Sequence, residues 1–513
     1  MESINSMENQ ITLEQIQNFK GKYPKQIWSL FFSEMWERFC FYGMRGMLVF
    51  FMISQLNFDK TEANLQYGAT QAFVYAFTFI GGLFADKILG FRKSLFWGGL
   101  LMIIGSAILA IDPHQFFFLG ISFTIIGTGF FKPNISTMVG KLYKAGDSRT
   151  DAGFSLFYAG INLGALLGGY ICIAIGKGEL FASSIPEDKR WNVAFGLAAV
   201  VMVISLINFV FTQKSLGSIG LQPGHPLAEI QSKPIAKWLE YSVYVGTILL
   251  VPIIQIMVSK TEYTDYFMAI IGPLTLIYLF YEMSKVTLQE RKKLWAALVF
   301  ILFSIVFWGI YEQSGGSLSI FAAENLNNNL IGMHLDPNGV NNSGGAFFVI
   351  ILAPLLGLLW IWMNKRKIEP NTIVKFGLGF IFLGLGYYVL FATRFFAIVS
   401  GITSLNVFTL ALLVITFGEL CLSPIGLSIM TKLSTKNLQG MMMGMWFLAS
   451  AYGQYVAGII GAGLATAKEG SSKLEILLTY TEGYKQLGLY ALIAGIILIL
   501  ISPLVKKLMQ EVK

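Results

Sequence analysis

Residues 33–43 read SEMWERFCFYG, and Glu34, Glu37 and Arg38 stand there inside an otherwise apolar run. KQIWSLFF leads in and MRGMLVFFMI leads out. Two acids and a base at this spacing can pair with one another, and the acids can load and release protons. On a helix turning about 100° per residue, with Glu34 at 0°, the others fall at roughly 300° (Glu37), 40° (Arg38), 80° (Tyr42) and 20° (Arg45). Together they make a polar stripe covering roughly 140° of arc over about three turns. A charge in hydrocarbon costs about 2.5–3.5 kcal/mol on insertion scales, so this stripe must face partner helices or a water-filled cavity. A Glu34–Arg38 ion pair at i,i+4 that merely stitches a bundle leaves Glu37 and Arg45, on the same face, without a purpose.

Other apolar runs carry complementary charges. Lys132 lies in GTGFFKPNIS, where Pro133 is expected to disrupt the helix and Gly127 and Gly129 allow a neighbour to approach. Glu312 lies in FWGIYEQSGG and Glu419 in FGELCLSPIG, the latter with Pro424 expected in the same helix. Acids and bases on different helices can pair in one state and separate in another, which is what coupling an ion to a conformational change requires. The three histidines, His114, His225 and His334, all fall between apolar runs, so a proton relay must use carboxylates. Sodium is the competing ion, because SGGSLS after Glu312 offers some of the neutral oxygens it needs.

The elements that must hold these residues follow from composition. Of 513 residues, 55% are hydrophobic and only 13% charged, against about 25% in soluble domains. Fourteen apolar runs of membrane-crossing length are expected at 28–53, 66–86, 95–111, 116–139, 153–174, 192–212, 237–258, 264–281, 294–314, 346–363, 373–394, 405–431, 439–465 and 486–507. With the N-terminus inside, the inner segments hold 24 of the 37 Lys and Arg and the outer loops nine, which agrees with the positive-inside rule and puts both termini in the cytoplasm. That distribution accounts for the net charge of +8 without a nucleic-acid partner. Removing the middle pair of spans leaves six on each side. The expected organisation is a cytoplasmic segment 1–27, a six-helix bundle 28–212, a linker 213–293 carrying a helical hairpin, a second six-helix bundle 294–507 and a tail 508–513. This is an all-α integral membrane protein of the major facilitator type with an inserted hairpin. The stretch 315–345, Asn- and Gly-rich without Lys or Arg, reads as an irregular solvated loop. Cys40, Cys172 and Cys421 fall in apolar runs without CxxC spacing, so neither a disulfide frame nor a metal site follows. No signal peptide is visible, and no HExxH, paired catalytic aspartates or Ser/His constellation suggests an enzyme. A channel fits poorly, since no ring of like charges or filter-like carbonyl loop is present.

Seven motifs in order resemble the proton-dependent oligopeptide transporter family over nearly the whole chain. They are EMWERFCFYG (34–43), GGLFADKILGFRKS (81–94), GTGFFKPN (127–134), FSLFYAGINLGAL (154–166), FWGIYEQ (307–313), GELCLSPIGL (418–427) and MMMGMWFLASAYGQYVAG (441–458). The resemblance implies a proton-coupled symporter of di- and tripeptides working by alternating access in the cell membrane, without a cofactor and as a monomer. It implies that Glu34, Glu37, Arg38 and Glu312 couple protons. Arg45 and Lys132 would receive the peptide carboxylate, Glu419 its ammonium, and Asn162 its backbone. Tyr42, Tyr75, Trp308 and Trp446 would line the cavity. Lys132 and Glu419, on opposite halves, would also form a gating pair, and Asp86 would act at an inner gate. The charge logic agrees: a zwitterion needs one cationic and one anionic pole. The sequence departs from the family pattern at Phe41, where a Tyr is usual, and at Gly345, where an Asn is usual. A carrier of another small solute (an amino acid, nitrate or a peptide-like compound) on the same fold is the alternative.

Overall fold

The computed structural model describes residues 12–144, 147, 149–228, 233–423, 426–434, 438–466 and 470–510. Residues 1–11 and 511–513 of the expected tails, and Pro424, lie outside the described residues. The chain is helical almost throughout. In order the helices are α1 (Leu13–Gln17), α2 (Gln26–Ser54), α3 (Lys60–Phe84), α4 (Phe91–Ile111), α5 (Phe117–Lys141), α6 (Thr150–Lys177), α7 (Arg190–Thr212), α8 (Lys237–Ser259), α9 (Thr261–Lys285), α10 (Leu288–Tyr311), α11 (Ser317–Asn325), α12 (Pro337–Lys365), α13 (Thr372–Ala392), α14 (Leu405–Leu422), α15 (Gly426–Leu433), α16 (Gln439–Leu464) and α17 (Lys473–Met509). Fourteen of these have 18 residues or more, and twelve of the fourteen are long and apolar enough to cross a membrane. The other two are α2 and α5, the helices that carry Glu34, Glu37, Arg38 and Arg45, and Lys132.

Several ends were written in the sequence as caps. Thr287 with Glu290 and Ser472 with Glu475 form capping boxes that open α10 and α17. Gly178 closes α6 in the left-handed region at φ +79°, which a residue with a Cβ adopts only under strain.

The stretch 315–345 is not an irregular solvated loop. It contains α11, buried along most of its length, then a two-stranded antiparallel ribbon, β1 (Asn329–Leu330) and β2 (Met333–His334), then the start of α12. The turn chemistry explains the last step. Asp336 caps α12 by accepting from Gly339 N, and Pro337 occupies the first turn, where its missing N–H costs nothing. The expected span 405–431 is likewise two helices in the described residues, α14 and α15.

The chain forms two compact units: Met1–Arg45 with Phe73–Ser259, and Gly46–Ala72 with Lys260–Lys513. These differ from the expected halves in two ways. The end of α2 and the start of α3 belong to the second unit, where Gly68 packs on Gly458 and Lys60 pairs with Glu324 at 2.6 Å. The expected hairpin is divided. In the first unit α8 is fastened by Glu240 to Lys93 at 2.6 Å and by Trp97 Nε1 donating to Thr247. In the second unit α9 is fastened by the Tyr452 hydroxyl donating to the Met268 carbonyl and by Tyr455 to Asp265.

Each unit holds one antiparallel helix pair brought together on glycines seven residues apart, about two turns. Gly98 and Gly105 of α4 meet Gly127 and Gly120 of α5, and Gly377 and Gly384 of α13 meet Gly495 and Gly488 of α17. Lipid offers no hydrophobic drive between helices, so close backbone approach at small residues supplies the packing. A Cβ at Gly105 would stand 2.5 Å from the Gly120 carbonyl oxygen. Gly105→Val is therefore expected to cost about 1–3 kcal/mol or more through overpacking. Gly246→Ala, whose Cβ meets nothing within 4 Å, is expected to be neutral or stabilising. Thermal unfolding of the purified variants in detergent checks both.

Candidate functional site

The first unit assembles the charged cluster around α2. Arg38 is 2% exposed, Glu34 1% and Glu37 0%. The Arg38 Nε lies 3.1 Å from Glu34 Oε1 and in closer contact still with Glu37 Oε2. The guanidinium also faces the ring of Phe41, with its Cζ 5.4 Å from the ring centroid. Phe41 thus gives the cation an aromatic face, worth about 0.5–2 kcal/mol.

A second cation reaches the same cluster. Lys132 of α5 acts electrostatically on both Glu34 and Glu37, and its ammonium lies 4.4 Å from the ring centroid of Tyr75 on α3. Pro133 does not disrupt α5, which runs unbroken from Phe117 to Lys141. A proline ring presses on the carbonyl four residues back. Here that carbonyl belongs to Gly129, and it lies directly against Gly81 of α3, where no Cβ intervenes.

Helix α6 fixes where Arg38 sits. A Cβ at Gly164 would collide with the Met35 carbonyl and stand 2.9 Å from Arg38 Cβ, so only glycine lets α2 come this close. Asn162, 7% exposed, donates its amide to the Tyr158 carbonyl one turn back. One half of that side chain is thus used by its own helix, and Oδ1 is its remaining polar atom. Tyr42 and Arg45 sit together further along α2, with the Arg45 Cζ 5.7 Å from the tyrosine ring centroid. Asp86 stands apart from the cluster, exposed on the π-helical turn Ala85–Leu89, and its nearby charges are Lys141 and Lys87.

The second unit holds the remaining residues. Glu419 of α14 accepts a hydrogen bond from the Tyr311 hydroxyl at the end of α10. Tyr311 was not singled out in the sequence, although it directly precedes Glu312 in FWGIYEQ. Trp308 lies edge-on to Tyr311, with ring centroids 5.3 Å apart. Gly345 is beside the same pair: a Cβ there would stand 4.0 Å from the Tyr311 hydroxyl and 3.9 Å from Thr416 Oγ1. Glu312 forms the C-cap of α10 and is 5% exposed. Trp446 is 8% exposed, its ring packed across Gly426. Among the described residues no group of three His, Cys, Asp or Glu side chains could hold a metal ion.

The sequence pattern of the POT family matches residues 92–475. The chain belongs to the POT family. The uncharacterized transporter YclF of Bacillus subtilis (strain 168) is 32% identical over 99% of each chain. The di-/tripeptide transporter of Lactococcus lactis subsp. cremoris is 32% identical over 96% of this chain and 97% of its own length. A crystal structure of peptide transporter POT in complex with sulfate superposes with a TM-score of 0.78 at 31% identity, over 97% of this chain and 99% of that one. The nearly all-helical architecture of this POT member is the major facilitator fold.

Two expectations follow from the geometry. Removing Arg38 leaves two buried carboxylates without their nearest counter-charge, which costs about 3–5 kcal/mol for a buried pair. Arg38→Met is expected to unfold several degrees below wild type, and adding Glu37→Gln is expected to recover part of the loss; a double-mutant cycle in detergent measures the coupling. Gly345→Asn, by contrast, has room for its side chain, and its thermal midpoint is expected to match wild type.

Proposed function

We propose that this POT member is a symporter that imports di- and tripeptides together with protons by alternating access. It is a carrier rather than an enzyme, protons are its coupling ion, and no cofactor takes part. It lies in the cytoplasmic (inner) membrane, crosses it many times with both termini inside, and works as a monomer.

One observation carries the coupling: two buried carboxylates, Glu34 and Glu37, share two cations, Arg38 and Lys132. With both acids ionised the four charges cancel. A proton on either acid leaves one positive charge in excess. Arg38 is held by geometry and stays charged, whereas Lys132 carries a compact ammonium on a flexible stem and can turn to a new anion. The incoming anion is the peptide carboxylate, received by Lys132 and Arg45. Loss of the proton restores the internal pairing and weakens that grip, so release and deprotonation go together.

Glu419 receives the peptide ammonium. The Tyr311 hydroxyl donates to Glu419 and orients the carboxylate. Asn162 Oδ1 is available to a peptide N–H, while Tyr42, Tyr75, Trp308 and Trp446 line the route. Glu312 is a second proton acceptor, and Asp86 and the Lys132–Glu419 pair act as gates. The similar protein of Lactococcus lactis, a di-/tripeptide transporter, supports the substrate class.

Labelled dialanine uptake into proteoliposomes, with and without an inward proton gradient, tests the proposal. Wild type is expected to accumulate peptide only with the gradient. Glu37→Gln is expected to lose gradient-driven accumulation by on the order of tenfold or more while retaining exchange of labelled for unlabelled peptide. Folded wild type that moves no di- or tripeptide would falsify the substrate assignment.

A further inference from the structure

The turn that joins α12 to α13 presents three cations in a row, Lys365, Arg366 and Lys367, all exposed. No role given above uses them. A basic run at a helix end is ordinarily a solvated one, but this one is fixed in place. The Ile368 N–H donates to the Met363 carbonyl and the Lys367 N–H to the Asn364 carbonyl, which closes α12 as a Schellman turn. Glycine is the usual residue at the left-handed position of that turn, yet Lys367 takes it here at φ +58°. The nearest acid in the sequence is Glu369, and it is already engaged: Asn364 donates to it and Lys375 pairs with it. Among the described residues no carboxylate pairs with Lys365, Arg366 or Lys367, so three positive charges stand together on a fixed turn.

Arg366 is set differently from other arginines near helix ends. Arg92, Arg149, Arg291 and Arg394 each donate to at least one backbone carbonyl. The Arg366 guanidinium instead lies on the ring of Trp362, its Cζ 4.3 Å from the centroid, and among the described residues its side-chain N–H groups find no protein acceptor. A guanidinium stacked in this way keeps its planar fork open to a phosphate. Trp362 is 47% exposed, and an exposed tryptophan at the end of a span belongs at the level of the lipid headgroups. An apolar stripe leads back from it along α12. Leu355, Leu358 and Trp362, all exposed and spaced by three and then four residues, share one helix face with Lys365. Helix α12 is also the least buried of the twelve apolar spans. From Leu355 to Lys365 the helix rises about 15 Å, half of the roughly 30 Å of hydrocarbon and so the depth of one leaflet.

We propose that this turn and stripe form a binding site for a phospholipid with an anionic headgroup. Arg366 receives the phosphate on its open fork, and an acyl chain lies along Leu358 and Leu355. The phosphate is common to all phospholipids, so the choice among them comes from the rest of the headgroup. A zwitterionic headgroup brings an ammonium, which Lys365 and Lys367 repel; phosphatidylglycerol brings none. A soluble phosphate compound would use the cations and leave the stripe bare, so the stripe assigns the site to a lipid. In the proposed orientation the turn lies on the cytoplasmic face, and the lipid comes from the inner leaflet. The leaflet rests on that orientation; the site does not.

Native mass spectrometry of the full chain, released from a neutral detergent, tests the site with three separate probes: dioleoylphosphatidylglycerol, dioleoylphosphatidylcholine and glycerol phosphate. Wild type is expected to hold phosphatidylglycerol at least about fivefold more tightly than phosphatidylcholine and to hold no glycerol phosphate. Arg366→Gln is expected to weaken the phosphatidylglycerol adduct about fivefold, and Lys365→Gln, Arg366→Gln and Lys367→Gln together are expected to abolish the preference. Leu355→Ser with Leu358→Ser is expected to weaken both lipids alike. Lys292→Gln with Lys293→Gln, a basic pair at the start of α10, is expected to bind as wild type does. Equal affinity of wild type for the two lipids would overturn the proposal by removing the charge selection. An equal loss in the α10 variant would overturn it by reducing the effect to a diffuse positive field. Glycerol phosphate held as tightly as the lipid would overturn it in favour of a soluble phosphate. If the triple variant fails to fold, Arg366→Gln decides. The binding is read in detergent without peptide or proton gradient, so it stands or falls apart from the transport proposal.

Discussion

A guanidinium that cannot lose its proton has been placed out of reach of water, and much of the first unit follows from that. Arg38 stays charged under any condition a cell meets, so burying it is tolerable only with acids in contact. Glu34 and Glu37 supply them from the same helix, one turn and one residue away. That solution creates a second problem, because two carboxylates exceed one guanidinium by a full negative charge. Lys132 on α5 answers it, and so the helix carrying Lys132 must approach α2 while its own backbone remains satisfied. Gly164, Gly129 and Gly81 are the local consequences: each removes a Cβ where a side chain or carbonyl of the charged cluster's helices must pass.

Outside the cluster, polar side chains within the helices mostly return to their own backbone. Thr70, Thr78, Thr124 and Thr416 each donate to the carbonyl four residues back. Such groups carry polarity without demanding a distant partner, and a polar residue in a span is no sign of function when it is satisfied this way. The residues that stand out are those whose partners lie on another helix or another charge: Arg38, Lys132, Tyr311 with Glu419, and Glu324 with Lys60. Asn162 falls between the classes, because its amide is used locally while its carbonyl oxygen is left over.

The sequence made the architecture legible where one physical rule dominates. Apolar length revealed the long helices, and the charges within them marked α2, α5, α10 and α14, because hydrocarbon penalises a charge wherever it lies. What stayed hidden depends on neighbours. Pro133 looked like a break, yet α5 runs through it unbroken, as four other helices run through their internal prolines. The segment 315–345 looked solvated because Asn and Gly dominate it, yet Asp336–Pro337 was a readable helix start that composition masked. The division of the hairpin between two units was not readable at all, since it rests on side-chain fastenings, Glu240 to Lys93 and Tyr455 to Asp265, between residues more than a hundred positions apart. Tyr311 was missed for the same reason: a tyrosine in an apolar helix is ordinary until the acid it holds is known.

Tyr311 and Arg38 are partners of different kinds for the carboxylates they touch. A cation beside a carboxylate lowers its demand for any other charge, whereas a phenol fixes the direction of the carboxylate and leaves its negative charge nearly whole. Glu34 and Glu37 are held in the first way, and Glu419 accepts a phenol hydrogen bond from Tyr311. The first arrangement suits groups that must trade a proton against an internal cation. The second suits a group that must keep its charge for something arriving from outside. A Cβ at Gly345 would stand in ordinary contact with the Tyr311 hydroxyl and Thr416 Oγ1, so an asparagine there would add a polar side chain beside the Tyr311–Glu419 pair.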